Sequence, residues 1–123
     1  MPYEILHQGE FMLVRLFGVL TEDDLTAAVV EMARIEDAST TSKDRAIDLS
    51  EIEDIRVGFS DVLLLANRRR TRTFTARIKS ALIAHRPVHV GYARMFQTLS
   101  DHPQIDIRIV GSLDEALQWF GGK

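Results

Sequence analysis

The 123-residue chain contains no cysteine. Disulfides, thiolate nucleophiles and Cys-ligated zinc or iron–sulfur centres are therefore excluded. No apolar run approaches the ~20 residues that a membrane-spanning helix needs. The opening segment, MPYEILHQGE, has neither a basic stretch nor an apolar core, so it is not read as a signal peptide. A cytoplasmic location is the expectation. The seven glycines are scattered, and neither G-x-x-x-x-G-K-[ST] nor G-x-G-x-x-G occurs. Phosphate cradles of those two kinds are absent, and no nucleotide cofactor is implied. There is also no G-x-S-x-G nucleophile elbow.

What is present suits a folded domain. Apolar residues make up 46% of the chain and charged residues 27%, which is enough apolar surface to bury and too little net charge to favour disorder. The length predicts one domain spanning 1–123. The net charge of −3 hides an asymmetry. Residues 1–67 carry five basic and fourteen acidic side chains, whereas 68–123 carry ten basic and four acidic. Six of those ten lie within 68–79: Arg68, Arg69, Arg70, Arg72, Arg77 and Lys79. Such a run can face an anionic surface, or it can complement a helix C-terminus and draw the two halves of one domain together. An overall acidic chain argues against nucleic acid as the partner.

Hydrophobic periodicity predicts the order β-β-α-β-α-β-α-β-α. Residues 3–8 and 11–17 are rich in β-formers around a Gly9-Glu10 turn, with Gly18 closing the second strand. Thr21 with Asp24 forms a weak capping box for a helix reaching about residue 36. The polar stretch 37–44 reads as a loop, 45–49 as a short strand and 50–57 as an acidic connection. Gly58 or Ser60 caps a second helix that ends near 72–74. Residues 77–84 suit a central strand, 90–100 a helix, and 105–110 a strand with one wet face. Ser112 and Glu115 form a capping box for the last helix, and Gly121-Gly122 ends it. Strands alternating with helices imply parallel pairing, with one antiparallel strand added by the opening hairpin. The expected fold class is α/β with a five-stranded mixed sheet.

Few constellations could carry chemistry. His85 and His89 have i, i+4 spacing, but Pro87 between them is expected to break the helix and leave both in surface loops. No metal site is expected. Asp48, Glu51, Glu53, Asp54 and Asp61 gather after the third strand, where α/β domains place ligands. They read either as acid–base groups or as a solvated acidic loop before a helix N-terminus. No nucleophile, base and oxyanion donor form a recognisable set, so the chain is not expected to be an enzyme. Trp119 and Phe120 read as core or interface anchors. Tyr92, Met95 and Phe96 read as one side of an amphipathic helix or as a pocket lining.

The run A-I-D-L-S-E-I-E-D-I from Ala46 resembles the third strand and following loop of STAS domains, the anti-sigma-factor antagonist fold. R-I-K-S-A-L-I-A, V-G-Y-A-R-M-F-Q and I-D-I-R-I-V-G-S-L-D-E-A-L-Q-W-F resemble SpoIIAA-like proteins, a branch related to the CRAL-TRIO lipid-transfer domains. The resemblance implies a βα superhelix. It also implies a module that switches by phosphorylation of a serine in D-S-S-G. Here that position falls on Val57 or Gly58, so the acceptor is missing, and Ser60 lies at least two positions late.

The expected function is therefore a small STAS-like module that binds a protein partner. Asp54, Arg56, Gly58 and Ser60 are its expected contact surface, with Gly58 allowing close backbone approach. The alternative is binding of a lipid or small apolar ligand, as the CRAL-TRIO relatives imply. That alternative places Leu64, Tyr92, Met95 and Phe96 around an apolar pocket. It turns Arg68, Arg69, Arg70 and Arg72 toward an anionic membrane. A homodimer is compatible with either.

Overall fold

In the computed structural model, which describes residues 3–39, 43–74 and 76–121, a five-stranded sheet runs in the order β1-β2-β3-β4-β5. The elements are β1 (Tyr3–Gln8), β2 (Phe11–Thr21), α1 (Glu22–Ala38), β3 (Asp44–Arg56), α2 (Phe59–Arg70), β4 (Ile78–Ile83), α3 (Pro87–Leu99), β5 (Ile105–Val110) and α4 (Leu113–Gly121). β1 pairs antiparallel with β2, and the remaining neighbours pair parallel. The expected α/β order and mixed sheet are those observed. Gly122 lies outside the described residues, so the expected Gly121-Gly122 stop is not seen whole.

The hairpin turns at Gly9, whose φ of 66° is the left-handed conformation that glycine adopts without strain. Alternation along β2 then divides the core. Met12, Val14 and Leu16 face α1, α2 and α3 on one side of the sheet. Leu13 faces α4 on the other, with Ala46, Ala81 and Ala116. Those three alanines are fully buried, which lets α4 lie close against the sheet. Phe11, Trp119 and Phe120 pack at the margin of this second cluster.

Two strands run longer than their composition suggests. β2 does not close at Gly18. It takes a register shift between Gly18 and Val19, with Gly18 at φ 70°, and continues to Thr21. β3 pairs with this extension, so the acidic stretch 50–56 is strand rather than connection. Ile52 explains why: it is 1% exposed and belongs to the main core, while its acidic neighbours face outward. Arg15 ties the three strands at this point by pairing with both Glu4 and Glu51.

β4 pairs only with Arg45–Asp48, so the second half of β3 has β2 on one side alone. Two side chains of α3 reach the other side. His89 Nε2 lies 3.0 Å from the Ile52 carbonyl, and the Tyr92 hydroxyl donates to the Val57 carbonyl at 2.6 Å. A carbonyl only accepts, so Nε2 carries the His89 proton. Pro87 does not break this region. It is the first residue of α3, where a missing N–H costs nothing. His89 is consequently inside a helix and buried, not in a surface loop, and His102 is buried too.

Capping follows the local chemistry. Thr21 and Asp24 complete a reciprocal box at α1. Ser112 accepts from the Glu115 N–H, but the Glu115 carboxylate reaches Gly111 N–H rather than that of Ser112. Among the described residues no helix is long and apolar enough to cross a membrane.

Because Ala81 is fully buried between the sheet and α4, Ala81→Leu should lower unfolding free energy by about 1–3 kcal/mol in denaturant titrations.

Candidate functional site

α2 packs mainly on α1 and α3, and an apolar cavity of about 110 Å³ lies between these helices and the sheet. Leu16 and Ile52 form its floor, Val57 and Val62 the side where the chain enters and forms α2, and Tyr92 and Phe96 its α3 side. Arg69 is the only charged side chain on its wall among the described residues. Of the four residues expected to line an apolar pocket, Tyr92 and Phe96 do so. Met95 packs half-buried against the same core without reaching the cavity. Leu64 points outward and is 61% exposed. Leu65 takes its place, because α2 buries the stripe Val62, Ala66 and Arg69, and one residue along a helix turns a side chain by about 100°.

The expected contact surface lies on the segment that leads from β3 into α2. Asp54 and Arg56 pair with each other at 2.9 Å, both largely exposed. Gly58 is the N-cap of α2, and its N–H donates to Asp61 Oδ2 at 2.8 Å. Ser60 is exposed in the first turn. Val57, in the middle of this segment, faces the cavity. Sequence reasoning passed over Phe59, which lies between two named residues and is 59% exposed. An aromatic immediately after a capping glycine was the available signal.

The carboxylates that follow the third strand do not converge. Asp48 accepts from the Ser50 N–H and hydroxyl, Glu51 pairs with Arg15, Asp54 with Arg56, and Asp61 serves Gly58. Asp61 also meets Glu22. Repulsion from the Asp61 charge, then burial, raises the Glu22 carboxyl above its ordinary value. Among the described residues no group of three or more metal-binding side chains comes together.

The basic run divides into two. Arg68 and Arg70 are exposed, but Arg69 is buried and Arg72 largely covered. The four do not form one outward patch. The reason is Glu36 in the last turn of α1, a carboxylate 8% exposed. Arg69 grips it with two hydrogen bonds of 2.9 and 2.7 Å, Arg45 of β3 pairs with it, and Arg72 Nε lies 3.0 Å away. Arg72 also pairs with Asp37 at 2.6 Å. The acidic end of α1 thus holds the basic end of α2, which is the attraction between halves that the charge asymmetry suggested. Phe74 stacks over the guanidiniums of Arg45 and Arg69. Its own backbone is clamped at N–H and C=O by the Gln104 amide.

Burial alone would push the Glu36 carboxyl up, but the hydrogen bonds and charges of Arg69 and Arg45 outweigh it and hold it below its ordinary 4.5. Burial pulls the Arg45 guanidinium down, against the pull of Glu36. A carboxyl whose native value is depressed binds its proton less readily folded than unfolded. Its stabilising contribution is present above 4.5 and is lost as pH falls through the native value. Acid titration of stability should therefore show a loss below 4.5 that is absent in Glu36→Gln. That variant should itself cost about 3–5 kcal/mol at neutral pH, since it strips buried guanidiniums of their counter-charge. Tyr92→Phe should cost about 0.5–1.5 kcal/mol through loss of the Val57 bond.

No protein-family model matches the sequence, and no curated protein matches it. Among solved structures, the chain is similar to an uncharacterised protein of the DUF3478 family from Shewanella loihica PV-4, described as having a SpoIIAA-like fold. The TM-score is 0.64 at 16% identity, over 96% of this chain and 91% of that one. That neighbour is itself uncharacterised, so the likeness speaks to architecture and to no activity. The sheet order, the four helices and this likeness together give the chain a SpoIIAA-like fold.

Proposed function

We propose that the chain is a non-enzymatic, cytoplasmic SpoIIAA-like binding module that holds a small apolar molecule between its sheet and α2. The cavity of about 110 Å³, walled by aliphatic side chains and two aromatics, carries this reading. A dry apolar cavity of about 150 Å³ takes up benzene or xenon, so the volume suits a single ring or a short alkyl group. It does not suit a whole lipid. Burial of Arg69 also removes one cation from the surface that a membrane-facing reading needs.

A protein partner at the β3–α2 segment is the second reading, and the exposure of Phe59 beside Asp54, Arg56, Gly58 and Ser60 favours it. Exposed aromatics are common anchors of interfaces. Val57 links the two readings, because it joins this segment to the cavity wall. Phosphate on Ser60 has little support. Asp61 already serves the α2 N-terminus and lies against Glu22, so a further anion there meets two carboxylates.

The test is thermal unfolding in the presence of benzene. Stability should rise by about 1.4 kcal/mol when free benzene is about ten times its Kd. Ala93→Met, which places bulk at a buried cavity wall, should abolish the rise. No benzene effect on the unaltered chain, or an equal effect in both proteins, would sink the ligand reading. Loss of partner affinity in Phe59→Ala with the benzene response intact would assign the two readings to separate surfaces.

A further inference from the structure

At the opposite end of α2 lies a second recess of about 80 Å³, where charged side chains meet the apolar Met12, Ile35 and Phe74. It is formed where the last turn of α1, the start of β3 and the segment after α2 meet. Lys43, Arg45, Arg72 and Thr73 line it, together with His7 and the carboxylates of Glu36 and Asp37.

The charges do not balance. Arg45, Arg69 and Arg72 gather on Glu36, and Asp37 answers Arg72 alone. Lys43 adds a further cation that makes no ion pair among the described residues. With Asp44, whose charge also acts on Arg45, four cations thus meet three carboxylates. Two of the four, Arg45 and Arg69, are at least nine-tenths buried. Buried charge without compensation is costly, and proteins ordinarily answer it with a counter-ion or a hydrogen-bonding partner.

Arg45 shows where the compensation is missing. Its Nη1 pairs with Glu36 and its Nη2 donates to the Lys43 carbonyl at 3.1 Å. Its Nε is buried and donates to nothing. Arg72 Nε is close to Glu36 but not aligned to donate to it, and is likewise unsatisfied. A guanidinium binds the oxygens of phosphate or carboxylate through its fork of N–H groups, and Lys is a point charge suited to phosphate. Arg45 and Arg72, which carry these unsatisfied donors, line the recess together with Lys43.

We propose that this recess binds a small oxyanion of the phosphate type, either free or as the terminal group of a larger ligand. Arg45 and Lys43 supply the main contacts. The recess shares no lining residue with the apolar cavity.

Inorganic phosphate is the probe, titrated into the full chain at constant ionic strength with chloride as the control. The readout is the ¹⁵N–¹H resonance of arginine Nε–H groups, with thermal unfolding measured in parallel. Phosphate should shift a slowly exchanging Nε–H signal saturably and raise the melting temperature, while chloride does neither. Removing Arg45 threatens the fold, so Lys43→Ala is the informative variant. It should fold normally and weaken phosphate about three- to tenfold. Phenyl phosphate binding tighter than inorganic phosphate would identify a phosphorylated ligand; equal binding would identify the free ion. An identical response to chloride, no saturable response, or full phosphate affinity in Lys43→Ala would overturn the proposal.

Discussion

A single carboxylate, that of Glu36, determines how the helical layer is assembled. It sits at the end of α1, yet its partners come from β3 and from the end of α2. An acidic last turn is unfavourable for α1 by itself, since the C-terminus of a helix favours cations. The arginines of α2 supply them from outside the helix. α2 is thereby anchored at its C-terminal end by charge and at its N-terminal end by Gly58 and Val57. Between these anchors it spans α1 and α3 without settling deeply on the sheet, and the apolar cavity lies beneath that span.

Much of the architecture was legible because strong local signals agreed with it. The Gly9 turn, the Thr21–Asp24 box and the alternation of β5 each specify an element with no help from distant residues. The extension of β3 was not legible, because four acidic residues in 48–54 look like a loop. Only the partner strand and the burial of Ile52 show otherwise. Pro87 was misleading for a related reason. A proline marks a helix start as readily as a helix break, and the two differ only in the conformation around it.

The candidate sites were half legible. Tyr92 and Phe96 followed from helical spacing. Leu64 and Leu65 could not be told apart, because the phase of α2 depends on where Arg69 finds its carboxylate. The basic run illustrates the same limit. Composition registers four arginines within five positions as one patch. Geometry sends Arg68 and Arg70 to solvent and Arg69 and Arg72 to α1. Nothing local to the run distinguishes them, since the deciding residue lies 33 positions away.

The hydrogen bonds from α3 to Ile52 of β3 and to Val57 just after it have a bearing on self-association. A strand with one unpaired side is a template on which another chain can add. The sheet has two such sides by necessity, on β1 and β5, and the long β3 would create a third where β4 stops. His89 and Tyr92 cap that stretch with side-chain donors, one of them wholly buried. A strand adding along this ribbon would have to displace both bonds. A partner that reads the side chains of this part of the molecule, rather than extending its sheet, leaves both bonds in place.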